Sequence, residues 1–244
     1  MRIFLGFFGL TRSLRHTIGS IRTHVFDPLQ QAGITAPRFG HFHLPPQISN
    51  ARSGEYGLPT DASEADLLDL QTRCIENQTA DLIVDMLAIA RRYPDNYGDQ
   101  YASVSNLCFQ LRSLNRLWDM LEPALHAQDW VVFLRPDLLY LDRLDLPNIV
   151  AAMLRDGTDL ALPGWQSWGG LNDRFAVANM RGARTYATRM RQIAAATEAS
   201  GTLHAERLLS YTASTNELRV LRLKERALRI RANGQAANND LICF

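Results

Sequence analysis

Two short runs without a charged or polar side chain, Ile3-Phe4-Leu5-Gly6-Phe7-Phe8 and Trp130-Val131-Val132-Phe133-Leu134, constrain this chain more than any other feature. Each is too short for a helix buried all round and the right length for a strand covered on both faces. That is the pattern of a parallel sheet with helices above and below it. Between the two runs, Leu107, Leu111, Leu114, Trp118 and Leu121 recur at spacings of four, three, four and three, one apolar stripe on a helix over 101–121. Strands alternating with helices along the chain predict an α/β fold. It is read as a single Rossmann-like domain with a mostly parallel central sheet flanked by helices and a C-terminal hairpin.

The remaining elements follow from caps and breakers. A strand over 2–9 ends at Gly9, and Thr11 or Ser13 caps a helix reaching Phe26, which Asp27-Pro28 restarts or kinks and Gly33 closes. A strand over 38–44 precedes a stretch, 46–62, whose Gly54, Gly57 and Pro59 read as a mobile surface loop. Ser63-Glu64-Ala65-Asp66 opens helical segments through an acidic stretch, 61–99, read as a solvated helical face. Beyond 130–134 come a helix over 147–155, a strand over 159–162, a Trp/Gly loop over 163–172 and a strand near 174–180. Helices over 183–199 and 203–213 follow, and Leu218–Leu223 with Ala227–Arg231 alternate as the two arms of a closing hairpin.

Composition narrows the function. With 244 residues, 46% hydrophobic, 21% charged and a formal net charge of +1, the chain is neither disordered nor fibrous and carries no bulk charge for nucleic acid. Its 26 basic residues include a single lysine, Lys224. Cys74, Cys108 and Cys243 are odd in number and widely spaced, which argues against a disulfide framework or a structural zinc site and for a cytoplasmic setting. The apolar start is followed by Arg12 and Arg15 with no cleavage site, so it reads as a strand, and no run is long enough to span a bilayer. His41 and His43 share a strand face, but the sequence offers no third ligand beside them.

In open α/β sheets, ligands bind beyond the carboxyl ends of the strands. After the first strand, Gly9, Thr11, Arg12, Ser13 and Arg15 combine close backbone approach, free amides and guanidinium groups suited to a diphosphate. The spacing is neither a Walker loop nor a G-x-G-x-x-G pattern. After the strand at 130–134, Arg135 and Asp137 form either a structural ion pair or a phosphate, ribose or cation site. The loop Gly164–Arg174 holds Trp165, Trp168, Gly169, Gly170 and Asn172, which suit the face and hydroxyls of a sugar as well as they suit packing. Asp173 reads as a general base or a loop cap, and Glu206 as a base or ordinary first-turn chemistry. Of the basic residues near the C-terminus, Arg229 and Arg231 stand out as phosphate contacts.

Read together, Phe7–Arg12, Gln110–Leu114, Asp129–Leu138, Gly169–Ala176 and Glu206–Leu209 resemble small GT-A-type nucleotide-sugar glycosyltransferases, found among bacterial surface-polysaccharide and large-virus proteins. The resemblance implies one domain, with a donor-binding half over 1–137 and an acceptor-side half over 138–244. It places donor contacts at Gly9–Arg15, Gln110 and Arg135–Asp137, acceptor contacts at Trp165–Asn172 and Arg231, and the base at Asp173 or Glu206. It implies a nucleotide-sugar donor and a glycan or lipid-linked acceptor; the expected setting is the cytoplasm, either free or peripheral to the inner face of the membrane. Such enzymes hold Mn²⁺ or Mg²⁺ with an Asp-x-Asp motif. Here Arg135 stands at its first position, leaving Asp137 as the one evident ligand.

Overall fold

The computed structural model describes residues 2–50, 54–237 and 240. Strand β1 (Ile3–Gly9) is buried along its length until Gly9, whose φ of +106° turns the chain out of the sheet in a conformation that a side chain would strain. Helix α1 (Leu14–Ile21) starts after Ser13, whose hydroxyl does not cap it; the Leu14 amide donates to the Thr11 carbonyl at 2.8 Å and to Glu64 Oε2 at 3.0 Å. A π-helical turn over Arg22–Phe26 joins it to α2 (Asp27–Gln31), which has Pro28 in its first turn. Strand β2 (Arg38–Leu44) follows as expected.

The next segments depart from the sequence reading. Within 46–62, β3 (Ile48–Asn50) pairs antiparallel with β4 (Glu55–Leu58), so this stretch holds a hairpin where a structureless loop was expected. The helical segments expected over 61–99 are interrupted. A 3-10 helix over Ala62–Leu68, capped by Asp61, leads into β5 (Thr72–Asn77), an edge strand parallel to β2. Helix α3 (Val84–Ala90) then precedes α4 (Ala102–Leu121), which matches the predicted stripe. After β6 (Trp130–Leu134) comes the short β7 (Leu138–Tyr140), then α5 (Leu146–Asp156), β8 (Leu160–Pro163) and β9 (Ala176–Ala178). The helix expected over 183–199 is broken into α6 (Met180–Ala187), a 3-10 turn and α7 (Ile193–Ser200), and α8 (Ala205–Thr215) follows.

The last two strands exist, but they are not a hairpin. β10 (Val220–Leu223) lies parallel to β8 in the main sheet, while β11 (Ala227–Arg229) pairs antiparallel with β7 in a separate two-stranded ribbon. Alternation identifies a strand; its partner is set by tertiary contacts. The main sheet has seven strands in the order β10-β8-β9-β6-β1-β2-β5, with β9 antiparallel to both of its neighbours and the other pairings parallel.

Both faces of the sheet are covered. Ile3, Leu5, Phe7, Val132 and Leu134 pack toward α1 and α5, while Phe4, Phe8, Val131 and Phe133 pack toward Leu114, Leu117, Trp118 and Leu121 of α4. Each such side chain contributes about 1.5–3 kcal/mol by leaving water. Among the described residues, no helix is long and apolar enough to cross a membrane.

Candidate functional site

The strand order reverses between β1 and β6: the chain leaves β1 toward β2 on one side and leaves β6 toward the other half of the sheet. A cleft of about 680 Å³ opens at the carboxyl ends of these strands, where the switch-point rule places ligands. Arg135 and Asp137, immediately after β6, form its floor. Arg135 Nε donates to Asp137 Oδ1 at 3.0 Å and Nη2 to Oδ2 at 2.8 Å, while Nη1 donates to Gln110 Oε1 at 2.9 Å. Gln110 Nε2 in turn donates to Asp173 Oδ2 at 2.9 Å, and Arg189 closes the chain with a 3.3 Å contact to the same oxygen. Asp173 reaches this floor because β9 runs against β6, so the approach to β9 lies beside the exit from β6.

Burial alone would push the Asp137 carboxyl up, yet the bidentate Arg135 and the nearby Arg12 and Arg229 hold it well below the usual carboxylate range. Both its oxygens are therefore engaged by guanidinium, and Arg12 Nη2 lies 3.7 Å from Oδ2. A divalent cation needs carboxylate lone pairs, which here point at a cation already in place. These residues do not fit a resident Mn²⁺ or Mg²⁺ at Asp137.

One wall of the cleft is basic. Arg12 also contacts Glu55 Oε2 at 3.7 Å, and Arg229 pairs with Asp240, which also holds Arg174. Arg231 makes no ion pair among the described residues. Burial, together with repulsion from Arg12 and Arg229, lowers its pKa to about 10. Such an arrangement of forced-together cations accepts an anion.

Glu206, His204, Tyr97 and Trp168 also line the cleft. Glu206 sits in the first turn of α8, where burial, followed by the negative charge of Asp173, raises its pKa to about 7. His204 Nδ1 lies 3.1 Å from Glu206 Oε2, and its ring stacks on Tyr97. The Gly-rich loop is pressed onto this helix end: Leu171 N donates to the Glu206 carbonyl, and a Cβ at Gly170 would stand 2.1 Å from that carbonyl oxygen. The same loop leaves Trp168 46% exposed on the lip of the cleft.

Of the residues expected here, Gly9, Arg12, Gln110, Arg135, Asp137, Trp168, Asp173, Glu206 and Arg231 line the cleft together. The others do not. Arg15 points away and pairs with Glu64 at 2.7 Å; Thr11 and Ser13 are buried in the turn before α1. Trp165 is 8% exposed, donating to the Glu225 carbonyl at 2.9 Å beneath Arg174, which makes it a packing residue. Asn172 is buried too, holding the Trp165 carbonyl and the Arg174 amide, while Gly169 and Gly170 shape the loop. Sequence reading missed Glu55, His204 and Tyr97, which lie in segments taken for loop, helix face or ordinary cap.

No protein-family model matches this sequence, and no curated protein matches it. In structure it is similar to mouse xyloside xylosyltransferase 1 in its apo form, with a TM-score of 0.44 and 12% identity over 91% of this chain and 84% of that one. An active-site mutant of LgtC gives a TM-score of 0.47 and 12% identity over 91% of this chain and 72% of that one. A glucose-1-phosphate thymidylyltransferase described as putative, from Bacillus anthracis in complex with a sucrose, gives 0.43 and 8% over 98% and 92%.

Proposed function

We propose that this chain is a nucleotide-sugar-dependent glycosyltransferase of the hexosyltransferase class, acting on a hydroxyl of a glycan or lipid-linked acceptor in surface-polysaccharide synthesis. One observation carries the reading. Arg12, Arg229 and Arg231 line the same cleft as Glu206, a carboxyl that burial and Asp173 raise to about 7, together with Arg135, Gln110 and Asp173. Glycosyl transfer from a diphosphate donor needs both: positive charge where the leaving group becomes anionic, and a base for the acceptor hydroxyl. In this reading the guanidinium groups supply the charge that a metal supplies elsewhere, and Arg135 is occupied in fixing the floor. Glu206 takes the acceptor proton, because Asp173 is committed to Gln110 and Arg189 and acts as a positioning residue. Trp168 offers its face to a sugar ring.

A second reading, a non-catalytic nucleotide- or glycan-binding module, is favoured by that same commitment of Asp173, which leaves one carboxylate free for chemistry. Calorimetry with UDP, GDP, CDP and dTDP, with and without Mn²⁺, separates the outcomes. The enzyme reading expects selective binding of one diphosphate, unchanged by Mn²⁺ and weakened about tenfold or more in Arg231→Ala. It also expects turnover of the matching nucleotide sugar, lost in Glu206→Gln with binding retained. Binding without hydrolysis or transfer supports the module. No binding to any diphosphate refutes both nucleotide readings.

A further inference from the structure

A second cluster lies on the α4 side of the sheet, apart from the donor reading. The parallel register of β2 and β5 sets Cys74 beside His41 and Glu76 beside His43. His41, Cys74 and Glu76 each bring one ligand atom within 4.8 Å of the others. Sequence alone offered two histidines and no third ligand, because β5 was not visible as a strand.

The Ser113 hydroxyl fixes the histidine. Its single proton goes to the His41 carbonyl at 2.6 Å, so its oxygen accepts from the Gly9 amide at 2.9 Å and from His41 Nδ1 at 3.1 Å. His41 is thereby held with its proton on Nδ1 and a bare lone pair on Nε2. That nitrogen belongs to a fully buried residue, has no hydrogen-bond partner among the described residues, and faces Glu76 Oε2 at 3.6 Å. A lone pair facing a carboxylate across that gap is repulsive until a cation sits between them.

We propose that His41 Nε2, Cys74 Sγ and the Glu76 carboxylate form a binding site for a borderline-soft divalent cation of the zinc type. The nitrogen, sulfur and oxygen donor set selects such an ion over Mg²⁺ or Ca²⁺. Ser113 supplies the outer-shell partner that orients a metal-binding imidazole. On binding, the Cys74 thiol releases its proton to solvent, and thiolate plus carboxylate balance the ion's two charges. Glu76 differs from Asp137 in how it is held: Arg112 gives it one hydrogen bond, to Oε2 at 3.1 Å, and Arg116 stands 3.7 Å from Oε1. Neither is a bidentate partner, so the part-exposed carboxylate keeps lone pairs for an ion, with the two arginines as its outer partners. Tetrahedral ligands stand roughly 3.5 Å apart; His41 Nε2 and Glu76 Oε2, at 3.6 Å, already have that spacing, and Cys74 Sγ, within 4.8 Å of both, completes the set with a shift of about an ångström or less. Cys74 and Glu76 lie part-exposed on an edge strand, which can move and gives the ion a path inward. Bound metal clamps β5 to β2.

The test is titration of the reduced, metal-stripped full chain with Co²⁺, then Zn²⁺. One equivalent of Co²⁺ is expected to give a near-ultraviolet thiolate charge-transfer band that Zn²⁺ displaces. Cys74→Ser abolishes the band and weakens Zn²⁺ by about tenfold or more, with circular dichroism confirming the fold. Cys108→Ala and Cys243→Ala keep both band and affinity. Absence of a stoichiometric band in the wild-type chain, or its survival in Cys74→Ser, overturns the proposal. Neither result bears on diphosphate binding, which is measured separately.

Discussion

Replacing Arg135 by alanine leaves Asp137 in place with its side chain 6% exposed and its two closest hydrogen bonds, at 3.0 and 2.8 Å, removed. Arg12 remains, but at 3.7 Å and without hydrogen-bond geometry. Breaking one side of a buried pair costs about 3–5 kcal/mol, because the surviving charge is left without its partner. For a chain of this size each kcal/mol moves Tm by roughly 2–4 °C, so Arg135→Ala should melt about 6–20 °C lower. The loss should also depend on pH in a defined direction. Asp137 is held below its unfolded pKa, so its contribution is complete above that value, about 3.9, and is lost as pH falls through the lower folded value. Alanine at 135 lets the carboxyl rise, so the deficit measured by urea unfolding should be larger at pH 7 than at pH 4. The double variant Arg135→Met with Asp137→Leu should recover most of the stability, since a buried pair replaced by apolar groups is near neutral. A deficit below about 1 kcal/mol for the single variant, or no recovery in the double, would refute the description of this floor as a tight buried pair.

Other expectations follow from the walls. Glu206 is a carboxyl whose folded pKa lies above its unfolded value, so the native state holds the extra proton and stability should fall as pH rises from about 4.3 through about 7. Glu206→Gln should flatten that slope in pH-dependent unfolding. Turnover should rise with pH through the same interval and fall roughly 10²–10⁴-fold in the variant. Arg231→Ala removes a cation crowded by Arg12 and Arg229, so Tm should hold or rise while diphosphate affinity drops about tenfold or more; a parallel loss of both would contradict the anion-site reading. Gly170→Ala forces a methyl against the Glu206 carbonyl and should cost about 1–3 kcal/mol, read as a lower Tm.

The parts of the fold legible from sequence are those whose burial is uniform or strictly periodic. β1 and β6 are apolar on both faces, and α4 keeps its stripe from Leu107 to Leu121, about four turns, so local pattern and tertiary fate agree. β5 was hidden because Thr72-Arg73-Cys74-Ile75-Glu76-Asn77 is a half-exposed edge with charges in it, set among leucines at helical spacing. The β3–β4 hairpin was hidden because turn residues mark a reversal without saying that its arms pair. In the site, the strand-end rule picked out Arg135, Asp137 and Asp173 singly, and a first-turn carboxylate picked out Glu206. The joining of Arg135 to Asp173 through Gln110 was not legible, because it spans 63 residues on one side and 25 on the other. Trp165 shows the opposite error: a tryptophan in a glycine-rich loop advertises a surface contact, yet its indole N–H is satisfied inside.

The central position of β1 has a consequence for how the chain comes to be folded. One of its two neighbours, β2, follows soon after, but the other, β6, begins at residue 130. At a synthesis rate of about 5–20 residues per second, the edge meant for β6 waits roughly 6–25 s for its partner. During that interval Ile3-Phe4-Leu5-Gly6-Phe7-Phe8-Gly9 is an apolar segment with open backbone groups, the kind that pairs with copies of itself. Its two glycines weaken that tendency, and the acidic stretch emerging just before α4 supplies like-charge repulsion between nascent chains. Features that look incidental in the finished molecule thus guard the strand around which it is later built.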